Sequence, residues 1–185
     1  MSRLIVLSAY ALLGVVLLVV AVAVRLRGRS LVGRPPIHPA AFAFGKLCLI
    51  AAVCFLAVHA AGVDLTFRPA PPLLARIALG IFLVGALLAT AALATLGART
   101  KMGVGKDTDG LQTTGIYRFS RNPMYLGLYL VCAGGCLYTL SPACLALTLA
   151  GVAVHHRIIL GEERFLKARF GEAWDRYAAR VRRYL

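Results

Sequence analysis

The chain has 185 residues, of which 60% are hydrophobic and 15% charged, yet its formal net charge is +14. That balance excludes an ordinary soluble domain and requires several membrane spans. The basic residues sit in the connections between apolar runs, which ties them to topology and lipid headgroups and not to nucleic acid.

The first apolar run, Leu4 to Val24, is long enough to cross a hydrocarbon core of about 30 Å. It is too long for a signal core and is followed by Arg25, Arg27 and Arg29 without a small-residue cleavage site, so it is expected to be a true span. A basic loop broken by Pro35 and Pro36 leads to a second span, from Pro39 or Ala40 to about Gly62. Lys46 and His59 inside it either snorkel to opposite interfaces, the preferred expectation, or line a polar cavity. Pro69-Ala-Pro71-Pro72 marks a sharp re-entry, and Leu73 to Leu96 is the third span. Its recurring small residues, Gly80, Gly85, Ala86, Ala89, Ala91 and Ala92, allow close helix approach.

From Gly97 to Ser120 the chain turns polar and glycine-rich, and long connections of this kind more often carry function than merely connect. Two short apolar runs follow, Met124 to Leu140 and Ala143 to Leu160, joined at Ser141-Pro142 into a helical hairpin. Beyond it, Leu166, Phe170, Trp174, Tyr177 and Val181 recur at helical spacing among basic residues, the pattern of an amphipathic helix lying in the interface. Tyr129 and Trp174 are expected to be interfacial aromatics. Cys48, Cys54, Cys132, Cys136 and Cys144 all lie inside apolar runs and predict neither a disulfide framework nor a zinc site. His155 and His156 are adjacent and cannot share a helical face, so no metal is expected there.

The expected architecture is therefore an all-α polytopic membrane protein with about five transmembrane helices, a hairpin formed by the fourth and fifth, and a basic interfacial helix. With five spans, segments 25–39, 98–123 and 157–185 share one side and carry four, five and eight Lys and Arg, against Arg3, Arg68 and Arg76 on the other. The positive-inside rule then puts the amino terminus outside and both ends of the hairpin in the cytoplasm.

The stretch from Gly115 to Gly127 concentrates the polar chemistry. Asn122 followed by Pro123 has the form of a helix start, an N-cap and then a residue whose φ is already set. The free N–H groups beside Arg118 and Arg121 would make a place for an anion. Glu162 and Glu163 close the hairpin at the same end, where carboxylates require a partner or solvent; an ion pair to Arg118 or Arg121 is one answer, and reception of a ligand's ammonium or hydroxyl groups is the other.

Gly115-x-Tyr117, then Arg121-Asn122-Pro123-x-Tyr125-x-Gly127, then the hairpin with Glu162-Glu163 and Phe170-Gly171, resembles the isoprenylcysteine carboxyl methyltransferase and phospholipid methyltransferase group of integral membrane enzymes. The resemblance covers roughly residues 97–185, leaving 1–96 as three amino-terminal spans. It implies methyl transfer from S-adenosylmethionine to a lipophilic acceptor, an isoprenylcysteine carboxylate or another membrane lipid, at the cytoplasmic face. It further implies cofactor contacts at Asp109, Gly110, Leu111, Gln112, Tyr117, Asn122, Pro123, Met124, Tyr125, Glu162 and Glu163, with Arg121 and Arg157 acting on the chemistry. Many members of that group have His where this chain has Asn122. A carboxylate acceptor needs no general base, whereas an amine or alcohol does, and the Asn leans toward the former. Two other readings stand beside this one: an NADPH-dependent sterol or steroid reductase, which shares a similar turn but has an acidic residue where this chain has Leu128, and a noncatalytic membrane subunit.

Overall fold

The computed structural model describes residues 2–30, 32–97, 103–104 and 110–185. They form six α-helices, α1 (Ser2–Leu26), α2 (Pro39–Ala60), α3 (Pro72–Leu96), α4 (Pro123–Thr139), α5 (Pro142–Phe170) and α6 (Glu172–Arg180), with a short 3-10 turn over Gly115–Arg118. Four of them, α1, α2, α3 and α5, are long and apolar enough to cross a membrane, and α4 is a shorter apolar helix of 17 residues. Helices α2, α3, α4 and α5 each open on a proline. A proline there forfeits no ladder bond and enters with helical φ, which is why these starts are sharp.

Val6, Leu56, Phe82, Ala86 and Val131 gather α1 to α4 into one buried cluster. Large apolar side chains such as Leu18, Leu47, Leu87 and Leu149 point outward, as a surface bathed in acyl chains demands. Where lipid tails are as apolar as the helices, close backbone packing does the holding, and α3 and α4 supply it. A Cβ at Gly127 would stand 2.5 Å from the Ala89 backbone nitrogen and 2.8 Å from the Gly85 carbonyl oxygen; one at Gly134 would stand 2.8 Å from the Ala78 carbonyl. Gly127→Ala is therefore expected to cost about 1–3 kcal/mol of stability, read as a fall in the thermal midpoint in detergent. Gly80→Ala, where nothing lies within 4 Å, serves as the control; equal midpoints for the two variants would refute the close-packed seam.

The two ends of the bundle are tied separately. At one, Arg34 and Val104 exchange backbone hydrogen bonds of 2.7 and 2.9 Å, and Gly161 of α5 lies so close to Pro36 that a Cβ would meet its carbonyl oxygen at 2.7 Å. At the other, the Phe67 amide donates to the Thr139 carbonyl. The connections after α1 and after α3 thus lie at the end where α4 begins and the α5 carboxylates sit.

Two expected boundaries change. Helix α5 does not stop where its apolar run stops at Leu160 but continues to Phe170, because nothing between them breaks the backbone ladder. The single amphipathic helix is instead two pieces, divided at Gly171 with φ +48, a backbone conformation that favours glycine.

Candidate functional site

Helix α4 begins at the bundle end where α5 carries its two carboxylates. Tyr125, one turn into α4 and buried, points its hydroxyl at Glu162 and donates to the carboxylate at 3.2 Å. The sequence-distant halves of the motif meet at this pair of side chains. Glu162 is half-buried, and this phenol is its one hydrogen-bond partner among the described residues. Carboxylate lone pairs therefore remain for an incoming ammonium or hydroxyl group.

Its neighbour Glu163 does something different. Adjacent residues on a helix diverge by about 100°, and Glu163 faces a cluster of cations. It accepts from Arg121 Nε at 3.1 Å, from Arg183 Nη2 at 2.8 Å and from Asn122 Nδ2 at 3.3 Å. Arg121 is saturated: besides Glu163, its Nη1 donates to the carbonyls of Ala178 and Val181 at 3.0 and 2.7 Å, and its guanidinium lies over the Trp174 ring at 5.7 Å. Its backbone amide donates to the Arg182 carbonyl. Arg121, read from sequence as acting on the chemistry, has its guanidinium committed to holding segment 178–183 against the start of α4.

Asn122 stands at the N-cap position, but its side chain makes no cap hydrogen bond. Its amide donates instead to Glu163 and to the Arg183 carbonyl, and the Ser120 hydroxyl accepts from the Asn122 amide nitrogen at 3.1 Å. The expected anion site beside Arg118 and Arg121 is thus filled by Glu163 on Arg121, while Arg118 is exposed. Pro123 is buried behind Asn122, and Met124 packs against Val20, Val24 and Leu93.

Tyr117 is buried beneath α6, where the Tyr177 hydroxyl donates to its carbonyl at 2.8 Å. Burial, reinforced by nearby Tyr177 and Glu162, raises the Tyr117 phenol well above its ordinary value; burial likewise pushes Tyr177 up to about 12. Both stay protonated at neutral pH. Leu111 packs against the Trp174, Tyr177 and Val181 cluster, and Gln112 donates to the Thr114 hydroxyl at 2.8 Å. Gly110 has open space where a Cβ would be; Asp109 lies outside the described residues. Trp174, expected at the lipid interface, is a core residue with 5% exposure. Tyr129 is half-buried with its ring 6.3 Å from that of Tyr184.

Lys46 is the larger correction. It does not simply snorkel: its ammonium lies over the Phe42 and Tyr125 rings, at 5.3 and 5.5 Å from their centroids. His155 completes this intramembrane group, its ring 5.6 Å from that of Tyr125. Neither Lys46 nor His155 belongs to the motif read from sequence. The available signal was weak, an ionisable residue inside each of two apolar runs. His59, by contrast, lies at the end of α2 beside Asp64 and Leu65.

Arg157 is exposed and, two residues on from His155, stands about 200° round α5 from it. It opens into a groove of about 980 Å³ between α2 and α5, with Arg164, Lys167 and Arg183 on its polar side and Ile37, Ala41, Ala153 and Leu160 on its apolar side.

A family model described as phospholipid methyltransferase matches residues 74–173, more than half of the chain, taking in both Tyr125 and Glu162. No curated protein and no solved structure matches the chain.

Proposed function

The chain belongs to the phospholipid methyltransferase family, an integral membrane methyltransferase acting on lipid-type substrates, and from that premise we propose that its methyl donor is S-adenosylmethionine, bound at the end of the bundle where Tyr125 meets Glu162. The observation that carries this reading is the 3.2 Å approach of the Tyr125 hydroxyl to the Glu162 carboxylate. The donor set fits the cofactor: a carboxylate with lone pairs to spare, oriented by Tyr125, suits an ammonium or a ribose diol, and the protonated Tyr117 hydroxyl suits its carboxylate or a heteroatom. Gly110, Leu111 and Gln112, beside the open space at Gly110, would line the same pocket with Met124 and Pro123. Asp109 is retained as a contact on the family resemblance alone.

When bound, the cofactor supplies a methyl carbon made electrophilic by an adjacent sulfonium. The protein's part is to orient and to exclude water. Glu162 anchors the polar end, Tyr125 fixes the carboxylate's direction, and the Arg121, Glu163, Asn122 and Arg183 network holds the start of α4 and the 178–183 segment as one rigid wall. Rigid placement of reactants at about 3–3.5 Å supplies most of the acceleration such a displacement needs. Arg157, with its cationic neighbours on the α2–α5 groove, would receive the polar head of a lipid acceptor that arrives sideways from the bilayer. Residues 97–185 would carry the cofactor contacts, while the acceptor side also draws on α2. The charge bias favours a cytoplasmic site and an external amino terminus.

Calorimetry on the detergent-purified protein with S-adenosylhomocysteine and with NADPH tests the donor, and methyl-labelled S-adenosylmethionine incubated with a membrane lipid extract tests transfer. Binding of the former only, with label entering lipid and lost in Tyr125→Ala and Glu162→Ala, is the expected result. NADPH binding in its place, or labelling indifferent to both substitutions, would overturn the reading.

A further inference from the structure

His155 is fully buried, at 0% exposure, in the middle of α5. Its Nδ1 lies 2.8 Å from the Gly151 carbonyl oxygen one turn back. A carbonyl can only accept, so Nδ1 carries the proton and Nε2 is left as a bare lone pair. Nε2 has no hydrogen-bond partner among the described residues. Buried polar atoms are nearly always satisfied, and an exception calls for a role; a packing role needs no imidazole.

The surroundings point to what that role is. The His155 ring lies against the ring of Tyr125, the residue whose hydroxyl reaches Glu162. It is two turns along α5 from Glu162, about 10 Å at 1.5 Å per residue, toward the middle of the helix. Glycine at 45 makes room for this stretch of α5: a Cβ there would collide with Val154 at 2.4 Å and stand 3.7 Å from His155 Nδ1. The titratable groups facing it are Tyr125 from α4 and Lys46 from α2, with Glu162 reached through Tyr125. Lys46 is a donor held over aromatic rings, Tyr125 donates to Glu162, and Asn122 has no basic atom. Two members of this group keep uncommitted lone pairs, Glu162 and His155; those of Glu162 are assigned to the cofactor's ammonium or ribose diol, which leaves His155 Nε2.

We infer that His155 Nε2 is the proton acceptor for the methyl-accepting atom, and hence that the acceptor is a proton-bearing nucleophile, an amine, phenol or alcohol on a lipophilic body, and not a carboxylate. This rests on the methyltransferase reading above and reverses the lean toward a carboxylate that Asn122 gives when read alone. In the step, the nucleophile's lone pair forms the bond to the transferred methyl carbon, the sulfonium–methyl bond breaks with its electron pair kept by sulfur, and the nucleophile's proton passes to Nε2. The imidazolium then returns that proton to solvent after the methylated lipid leaves.

Three measurements test this. The wild-type enzyme is charged with methyl-labelled S-adenosylmethionine and a membrane lipid extract, and the labelled lipid is treated with alkali. Label that stays on the lipid is the expected result; label released as methanol marks an ester, hence a carboxylate acceptor, and overturns the inference with no variant needed. His155→Gln is expected to bind S-adenosylhomocysteine as wild type does, to turn over about 10²- to 10⁴-fold more slowly, and to lose the fall in rate that wild type shows toward acid pH. A slow variant that keeps the acid limb would make His155 a packing residue and overturn the inference. Finally, ¹⁵N NMR of histidine-labelled protein without substrate, compared with His155→Gln, is expected to show an unprotonated Nε2 at neutral pH; a protonated Nε2 there overturns it. Failure of the wild type to bind S-adenosylhomocysteine would sink the parent reading, and this one with it, before any of the three is reached.

Discussion

Glu162→Gln is expected to weaken S-adenosylhomocysteine binding by roughly ten- to a hundred-fold while shifting the thermal midpoint little. The asymmetry follows from what Glu162 touches. Its carboxylate takes one phenol hydrogen bond, from Tyr125 at 3.2 Å, and a Gln carbonyl accepts the same bond. The fold therefore loses almost nothing. A ligand ammonium, by contrast, loses a charge-assisted hydrogen bond, worth about 1.5–3 kcal/mol, or one to two decades of affinity. Tyr125→Phe probes the other half of the pair. It keeps the ring packing against His155 and removes only the hydroxyl, so a loss of about 1 kcal/mol in ligand binding is expected. Calorimetry measures both, with thermal unfolding on the same samples. A Glu162→Gln protein that binds within about threefold of wild type would remove Glu162 from the cofactor site.

Much of this arrangement is written in residue types. The prolines at 39, 72, 123 and 142 mark four helix starts, because a residue without an amide proton has few other places to stand in a membrane helix. The apolar runs and the convergence of Tyr125 with Glu162 at one end of the hairpin follow from run lengths and from counting ends. What did not show locally is what tertiary contact decides. Asn122 has every mark of a cap, yet its amide reaches residues 41 and 61 positions away, since a buried carboxylate outcompetes a helix end for a donor. Arg121 binds the chain at 178–182 largely through backbone carbonyls, and a carbonyl leaves no trace in residue identity. Lys46 could reach an interface by length alone, and only the position of the Phe42 and Tyr125 rings settles where its ammonium rests. Trp174 looked interfacial because an aromatic beside basic residues usually is; here the basic residue, Arg121, comes from the bend that precedes α4 and covers it.

Glu163→Gln is expected to produce the opposite outcome to its neighbour, a stability loss of about 3–5 kcal/mol. Two guanidiniums depend on this carboxylate, and the Arg121 and Glu163 side chains are each only 11% exposed. Removing one partner of a buried pair leaves the remaining charge without compensation, which costs far more than the pair contributes net. Because Arg183 is 36% exposed, water can rescue it in part, and the burden falls on Arg121. The chain has a single tryptophan, and Trp174 lies directly beneath the Arg121 guanidinium, so its emission reports the break. Glu163→Gln should shift that emission to the red and admit protease cleavage within segment 172–183 at temperatures where wild type resists. Adding Arg121→Met to Glu163→Gln should restore part of the loss, since the stranded cation goes with its partner; strictly additive losses would mean that the two side chains do not depend on each other. The two adjacent glutamates thus make a matched pair of tests, one read in ligand affinity at nearly constant stability, the other in stability through the clasp that keeps the pocket wall closed.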